Sequence, residues 1–146
     1  MDKLERVFEL QRQLDDMIQE RWKIAFDQST WVQKETLAMI DELMELLNLT
    51  GFKWWKKSPA MDRNKIVEEL TDVFHFFIST CLKLEIGPEE LFEAYVRKNR
   101  ENRLRQLGLS TKDGYVASTA EKNPGSSCYE RDADELERRK GDRLQS

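Results

Sequence analysis

Two pairs of acidic residues, each spaced three apart, lie in segments whose other periodic positions are apolar. Glu42 and Glu45 form the first pair, and Glu69 and Asp72 form the second. At about 100° per residue, the members of each pair fall on one helix face, which they share with apolar side chains. Carboxylates that are half-buried together repel one another and lose hydration unless a cation neutralises them. The spacing therefore predicts a divalent-metal site made from all four carboxylates.

The oxygen donors of this predicted site indicate both the metal and the ligand. Carboxylates favour hard cations, so we expect Mg²⁺, with Mn²⁺ able to substitute. Mg²⁺ with open positions commonly receives substrate phosphates, and the sequence has no GxxxxGK[ST] or GxGxxG loop that would bind phosphate instead. The alternative is that both pairs lie on solvated helix faces and form salt bridges to lysines, as in a non-catalytic helical interaction or regulatory module.

Polar residues also interrupt the apolar face of the N-terminal segment. Gln11 and Asp15 are four residues apart, so they can read a base edge or a sugar hydroxyl, or they can form a buried hydrogen bond with each other. The hydrogen bond is the preferred interpretation from these two residues alone. His75 is the only histidine, and we expect a hydrogen-bonded residue of a helical bundle rather than a base.

Basic and aromatic side chains form two further candidate ligand contacts. In the segment FKWWKK, Trp54 and Trp55 between Lys53 and Lys56 offer an aromatic wall with cations, or they pin a loop to the protein. Later in the chain, one helix face has the composition of a phosphate and sugar binder, although a solvated surface has the same composition. That face carries Tyr95, Lys98, Asn102, Arg105 and Gln106.

Helices are the elements that must position these residues. The chain has only three prolines and six glycines in 146 residues, and the apolar spacing is helical. It predicts an all-α bundle with helices over about 2–22, 31–49, 62–85 and 88–108. From residue 117 onward large apolar side chains are scarce, so we predict one domain over 1–116 and a charged, mobile tail over 117–146.

The overall composition excludes several classes of partner. Acidic residues number 28 against 24 basic ones, a net charge of −4, so no strongly basic surface exists to attract nucleic acid. No apolar run is long enough to span a membrane, and the charged N-terminus does not resemble a signal peptide. The two cysteines lack disulfide or zinc spacing. These features predict a cytoplasmic protein with no membrane or nucleic-acid partner.

Several motifs occur together in a characteristic order. They are Glu42-Leu-Met-Glu45, then FKWWK at 52–56, then Glu69-Leu-Thr-Asp72-Val-Phe-His75-Phe. In order and spacing they resemble the dimeric all-α dUTPase family, relatives of the MazG-type nucleotide pyrophosphatases. The similarity extends from Leu10-Gln11-x-x-Leu14-Asp15 to Lys98-Asn99-x-x-Asn102-x-x-Arg105-Gln106 and the following Gly114-Tyr115, so it covers about residues 4–116.

The resemblance implies Mg²⁺-dependent hydrolysis of dUTP to dUMP and pyrophosphate. It implies that Glu42, Glu45, Glu69 and Asp72 are the metal ligands and that one of them also orients the attacking water. It implies charge stabilisation during phosphoryl transfer by Lys53, Lys56, Lys98 and Arg105. It also implies base and sugar contacts by Gln11 and Asp15, with Trp54 or Trp55 and Asn102 lining the pocket. Many relatives carry Asn where this chain has Asp15.

The resemblance further implies a homodimer in which residues of both subunits approach one substrate. Helices that are apolar around most of their circumference agree with that expectation. A sibling activity on dCTP, on modified nucleotides or on several nucleoside triphosphates stays open, because a few hydrogen bonds decide between uracil and cytosine.

Overall fold

A computed structural model of the chain describes residues 2–57 and 60–110. These residues contain four helices and no strand, which confirms the predicted all-α class. The helices are α1 (Lys3–Trp22), α2 (Gln28–Leu49), α3 (Arg63–Lys83) and α4 (Pro88–Gln106). None of the helices in this part of the chain is apolar over a length sufficient to cross a bilayer. The tail predicted over 117–146 lies outside the described residues.

Aspartate side chains begin the first three helices. Asp2 and Glu5 form a reciprocal capping box at the start of α1. Asp27 accepts hydrogen bonds from the backbone N–H and the hydroxyl of Thr30, and Asp62 caps α3 in a similar way. The Asp27 cap makes α2 begin at Gln28, three residues before the predicted start, because the polar residues that resemble a linker form its first turn.

Residues with a positive φ angle follow all four helices, and those after α3 and α4 lie within the predicted helix bounds. Glu85 has φ 59°, and the N–H of Ile86 donates to the carbonyl of Cys81, so α3 ends at Lys83 rather than at the predicted residue 85. Gly108 has φ 69° and follows α4, which ends at Gln106 instead of residue 108. These backbone reversals explain the small differences from the predicted bounds.

The core is formed where α3 packs against α1. Phe8, Ile78 and Cys81 are buried there, with Leu4, Val7, Leu82, Ile86 and Leu91 packed around them. Burial raises the pKa of the Cys81 thiol, which therefore stays protonated as an inert core side chain. α3 packs against α2 as well as α1. It is thus the element that holds both neighbours in place.

A second set of apolar side chains, which we call the outer apolar face, is exposed on α2 and α3. It consists of Leu37, Ile40, Met44 and Leu47 from α2 and Val67, Leu70, Phe74 and Phe77 from α3. Their three- and four-residue spacing puts them on the side of each helix opposite to the acidic residues Glu42 and Asp72. Exposed apolar surface of this extent is typical of a face that associates with another protein.

The chain divides into two units, Met1–Leu91 and Phe92–Ser146. The first holds α1, α2, α3 and the first turn of α4. The second holds the rest of α4, in which Arg105 Nε donates to Glu101 at 3.0 Å. Glu101 also accepts from the Ser110 hydroxyl at 2.6 Å, so these contacts tie the end of the helix to the residues that follow it.

Candidate functional site

A groove of about 700 Å³ lies in the first unit, between α1, α2, α3 and the segment that joins α1 to α2. Its walls are mainly apolar. They include Leu14, Ile18, Ile24, Phe26, Trp31, Ala38 and Phe76. Two ammonium groups lie against its aromatic rings, Lys34 Nζ at 4.8 Å from the centre of Phe26 and Lys83 Nζ at 4.5 Å from that of Trp31. The groove therefore combines flat apolar surface with positive charge.

Three of the four predicted carboxylates meet at one end of the groove, which we call the acidic end. Oxygen atoms of Glu42, Glu69 and Asp72 lie within 4.8 Å of one another. Loss of hydration raises the pKa of Glu42, and the charges of Asp72 and nearby acids raise it further. Loss of hydration and then the charge of Glu45 raise the pKa of Glu69 in the same way. Repulsion among these groups is therefore present, and no Lys or Arg within residues 2–57 or 60–110 forms an ion pair with them.

The donor set of the acidic end suits a hard divalent cation. All three groups offer carboxylate oxygen, and their mutual distances allow one ion to contact all of them. Glu45 lies outside the three-residue cluster and is exposed, although its charge acts on Glu42 and Glu69. The predicted role of Glu45 as a fourth ligand stays a prediction.

At the other end of the groove, buried side chains form a hydrogen-bonded network, which we call the polar floor. Asp15 Oδ1 accepts from Gln11 Nε2 at 2.8 Å. Asp15 Oδ2 accepts from the Ser79 hydroxyl at 2.7 Å and lies 3.2 Å from Lys83 Nζ. The hydrogen bond expected between Gln11 and Asp15 is confirmed, and both residues also line the groove.

Glu35 completes the polar floor and is the functional candidate that the sequence reasoning missed. It is buried, and its Oε1 lies 3.1 Å from the Ser79 hydroxyl. Burial raises the pKa of Glu35, and the charge of Asp15 adds to this effect, while Ser79 and Lys83 oppose it. Because the Ser79 hydroxyl has one hydrogen and contacts two carboxyl groups, a proton on Glu35 satisfies the second contact.

His75 lies on the groove wall between the two ends. Its Nδ1 is 2.6 Å from Gln11 Oε1, which confirms the expectation of a hydrogen-bonded histidine. The ring is otherwise exposed and lines the groove. His75 therefore extends the hydrogen-bonded network of the polar floor toward Asp72, which precedes it by three residues on α3.

The aromatic and basic segment lines a smaller cavity of about 180 Å³ rather than the groove. Lys53, Lys56 and Lys57 surround this cavity together with Asn48 and Gly51. The two tryptophans contact each other edge to face with ring centres 5.7 Å apart. Both are exposed, Trp54 by 87% and Trp55 by 61%. The structure thus groups the lysines with one another and leaves the tryptophan rings accessible.

The predicted contacts from α4 belong to the second unit. Lys98 and Asn102 are exposed. Arg105 is bonded to Glu101. Their proposed roles toward a nucleotide stay predictions that rest on the resemblance.

The described residues define an all-helical protein with a carboxylate cluster at one end of an apolar-walled groove. The chain belongs to the dUTPase family, because the family model described as dUTPase matches residues 3–91, more than half of the sequence. The matched range includes every residue of the acidic end and of the polar floor.

Curated relatives agree with that membership. The dCTP pyrophosphatase of Enterobacteria phage T4 is 29% identical over 112 residues, which cover 60% of this chain and 65% of that protein. The dCTP pyrophosphatase of Enterobacteria phage LZ5 is 29% identical over 100 residues, which cover 52% of this chain and 58% of that protein. The chain therefore spans about three fifths of the length of these relatives. No solved structure matches the chain significantly.

Proposed function

We propose that the chain is a metal-dependent nucleotide pyrophosphatase that hydrolyses dUTP to dUMP and pyrophosphate, in the cytoplasm. The observation that carries this proposal is a groove with carboxylates within 4.8 Å at one end and a buried polar floor at the other. A nucleotide has the same two parts, because its phosphates need cations while its base and sugar need directional hydrogen bonds. Membership of the dUTPase family supports the proposal independently.

The acidic end supplies the metal ligands in this proposal. Glu42, Glu69 and Asp72, with Glu45 beside them, would hold Mg²⁺ or Mn²⁺. Such a cation, when bound, neutralises phosphate oxygens and makes a coordinated water more acidic. One of the four carboxylates accepts a proton from the attacking water. The water oxygen then bonds to phosphorus, the bridging bond between the α- and β-phosphates breaks, and pyrophosphate leaves.

Positive and flat side chains would complete the substrate site. Charge that develops on the phosphates would be stabilised by Lys53, Lys56, Lys98 and Arg105. Gln11 and Asp15 would contact the base and sugar, and Trp54 or Trp55 with Asn102 would line the pocket. The support for these roles is the position of Gln11 and Asp15 in the groove and the cluster of lysines around the smaller cavity.

We also propose that the chain is a homodimer that associates through the outer apolar face. The described core contains three buried apolar residues, whereas nine large apolar side chains are exposed on α2 and α3, eight of them on the outer apolar face. A second copy would remove that surface from water. Light scattering of the wild type is expected to give twice the mass of one chain, and Phe74→Glu is expected to give a monomer. A wild-type monomer at micromolar concentration would contradict the dimer.

Pyrophosphate release from a panel of dUTP, dCTP, dTTP and dATP tests the activity. We expect rapid release from dUTP with Mg²⁺, none with EDTA, and none from the Glu45→Gln variant. Glu68→Gln is the matched control, because Glu68 is an exposed acid on α3 outside the predicted ligand set. No release from any nucleotide would instead favour the non-catalytic interaction module.

A second candidate is hydrolysis of dCTP. It is favoured by the two phage relatives, which are dCTP pyrophosphatases. It is also favoured by the acceptor oxygens of Asp15 on the polar floor, because cytosine carries an amino group that donates to such oxygens. The ratio of kcat/KM for dCTP to kcat/KM for dUTP distinguishes the two candidates. A ratio above one would make dCTP the preferred substrate and would leave the proposed metal site unchanged.

A further inference from the structure

The polar floor contains a chain of hydrogen bonds whose direction is set by Asp15. The Lys83 ammonium lies 3.2 Å from Asp15 Oδ2, and the Ser79 hydroxyl donates to the same oxygen at 2.7 Å. Oδ1 lies 2.8 Å from Gln11 Nε2. An ionised carboxylate only accepts hydrogen bonds, so the Gln11 amide must turn its NH₂ group toward Asp15.

The orientation of Gln11 in turn fixes the hydrogen on His75. Gln11 Oε1 lies 2.6 Å from His75 Nδ1. Because an amide oxygen only accepts, Nδ1 must carry the hydrogen, and the neutral ring then has an acceptor at Nε2. No residue within 2–57 or 60–110 hydrogen-bonds Nε2, and the ring lines the groove. His75 Nε2 is therefore a hydrogen-bond acceptor of defined position that is available to a ligand in the groove.

We propose that His75 is a sugar-binding residue, whose Nε2 accepts a hydrogen bond from the 3′-hydroxyl of the nucleotide, and that Asp15 and Lys83 are positioning residues that fix its tautomer. The inference rests on the proposed function. On α3, His75 is one turn from Asp72, about 4.5 Å along the axis, whereas Ser79 is about 10 Å away. A nucleotide with its phosphates at the acidic end places its sugar next to them and its base further along. The sugar therefore meets His75, and a deoxyribose offers one free hydroxyl there.

Because residue 15 is Asp rather than its isostere Asn, the donors and acceptors of this series of hydrogen bonds have one defined order. In an Asp15→Asn variant, Lys83 and Ser79 still donate to the side-chain oxygen of residue 15, so its NH₂ group faces Gln11. The Gln11 amide then reverses, presents its own NH₂ group to His75, and requires Nδ1 to accept. The predicted result is the opposite tautomer, with the hydrogen on Nε2.

Nitrogen-15 NMR tests this directly, because His75 is the only histidine in the sequence. At pH 8 without ligand, we expect the wild-type ring to carry its hydrogen on Nδ1 and the Asp15→Asn ring to carry it on Nε2. The control Asp16→Asn, an exposed neighbour on the same helix, is expected to match the wild type. A wild-type ring with its hydrogen on Nε2 would overturn the inference, as would a folded Asp15→Asn variant with an unchanged tautomer.

Binding of dUMP and of its 2′,3′-dideoxy analogue, in Mg²⁺, tests the contact with the sugar. We expect the wild type to bind dUMP about tenfold more tightly than the analogue, the size expected of one good hydrogen bond. In His75→Phe this preference should disappear while the analogue binds about as well as before, a result that mere loss of structure would not give. Equal affinities of dUMP for wild type and His75→Phe would overturn this inference alone. Failure of either nucleotide to bind would overturn it together with the proposed function, and the tautomer experiment separates the two cases.

Discussion

The two ends of the groove hold their carboxylates in opposite ways. On the polar floor, Asp15 is buried, lies 3.2 Å from an ammonium group and accepts two side-chain hydrogen bonds. At the acidic end, Glu42, Glu69 and Asp72 crowd within 4.8 Å, and no Lys or Arg of the described residues forms an ion pair with them. The charge of Asp15 on the floor is balanced by Lys83, whereas the charges of the acidic end have no such partner among the described residues.

This difference predicts that one end of the groove contributes mainly to stability and, under the proposed function, the other mainly to activity. A satisfied buried network stabilises the fold, and removing one member leaves the others unpaired. A cluster of like charges destabilises the fold and is neutralised only by a ligand. Substitutions at the two ends should therefore differ in kind, and each prediction below tests that difference.

The largest effect is expected at the acidic end. Glu69→Gln should lower turnover of the nucleotide by about 100-fold or more, the scale of losing one preorganised electrostatic group. The free energy of unfolding should stay equal or rise slightly, because one repulsive charge is removed. Steady-state kinetics and urea unfolding measure the two quantities, with Glu68→Gln as the matched control. Equal losses of activity in both variants would contradict the assignment.

The next largest effect is expected at the polar floor. Lys83→Met should lower the free energy of unfolding by about 3 kcal/mol, because it leaves the buried Asp15 carboxylate without its cation. Lys65→Met, an exposed lysine on the same helix, should change stability by no more than about 0.5 kcal/mol. Urea unfolding at pH 7 decides. Equal free energies of unfolding for the two variants would show that the ion pair does not stabilise the fold.

Mg²⁺ should then distinguish the two ends without any substrate. At a concentration of 100 times its dissociation constant, the ion should raise the free energy of unfolding of the wild type by about 2.7 kcal/mol. Lys83→Met should keep this increment, because its acidic end is intact, and Glu69→Gln should lose most of it. Thermal unfolding with Mg²⁺ and with EDTA measures the response, and an increment retained by Glu69→Gln would place the ion elsewhere.

The smallest effect is expected at Glu35 and depends on pH. Folding raises the pKa of Glu35 above the ordinary value of 4.5. The wild type therefore loses stability as the pH rises from about that value toward the pKa of the folded state. Glu35→Gln cannot ionise and keeps a donor for Ser79, so it should be more stable than the wild type by about 1 kcal/mol at pH 8. At pH 4 the difference should vanish, and an advantage that persisted there would contradict an origin in ionisation.

The acidic end could be predicted from the sequence because it depends on residue spacing within each helix. Each acid pair lies on one helix, and helical spacing alone puts the two members of a pair on one face with apolar neighbours. Glu69 and Asp72 contribute to the three-carboxylate cluster in this way, and the third member, Glu42, joins them because α2 packs against α3. The order of the helices and the capping aspartates also depend only on nearby sequence. The helix bounds therefore differ from the predicted ones by no more than a few residues.

The polar floor could not be predicted as a whole because its contacts form between residues of different helices. Glu35 precedes Glu42 by seven residues and thus shares its helix face, which is the signal that could have identified it. Next to Lys34 and Thr36, however, a single Glu resembles a solvated side chain. Only the approach of Ser79 and Lys83 from α3 makes it a buried member of a network.

Every side chain of the acidic end and of the polar floor stands on a helix rather than on a loop. The donors and acceptors of the groove are therefore set by the identity of side chains on helical backbone rather than by loop conformation. Asp to Asn at position 15 and Glu to Gln at position 35 each require a single nucleotide substitution in the codon, and each exchanges an acceptor for a donor. In a groove of this construction, a single codon change alters the donors and acceptors available to a ligand while the helices stay in place.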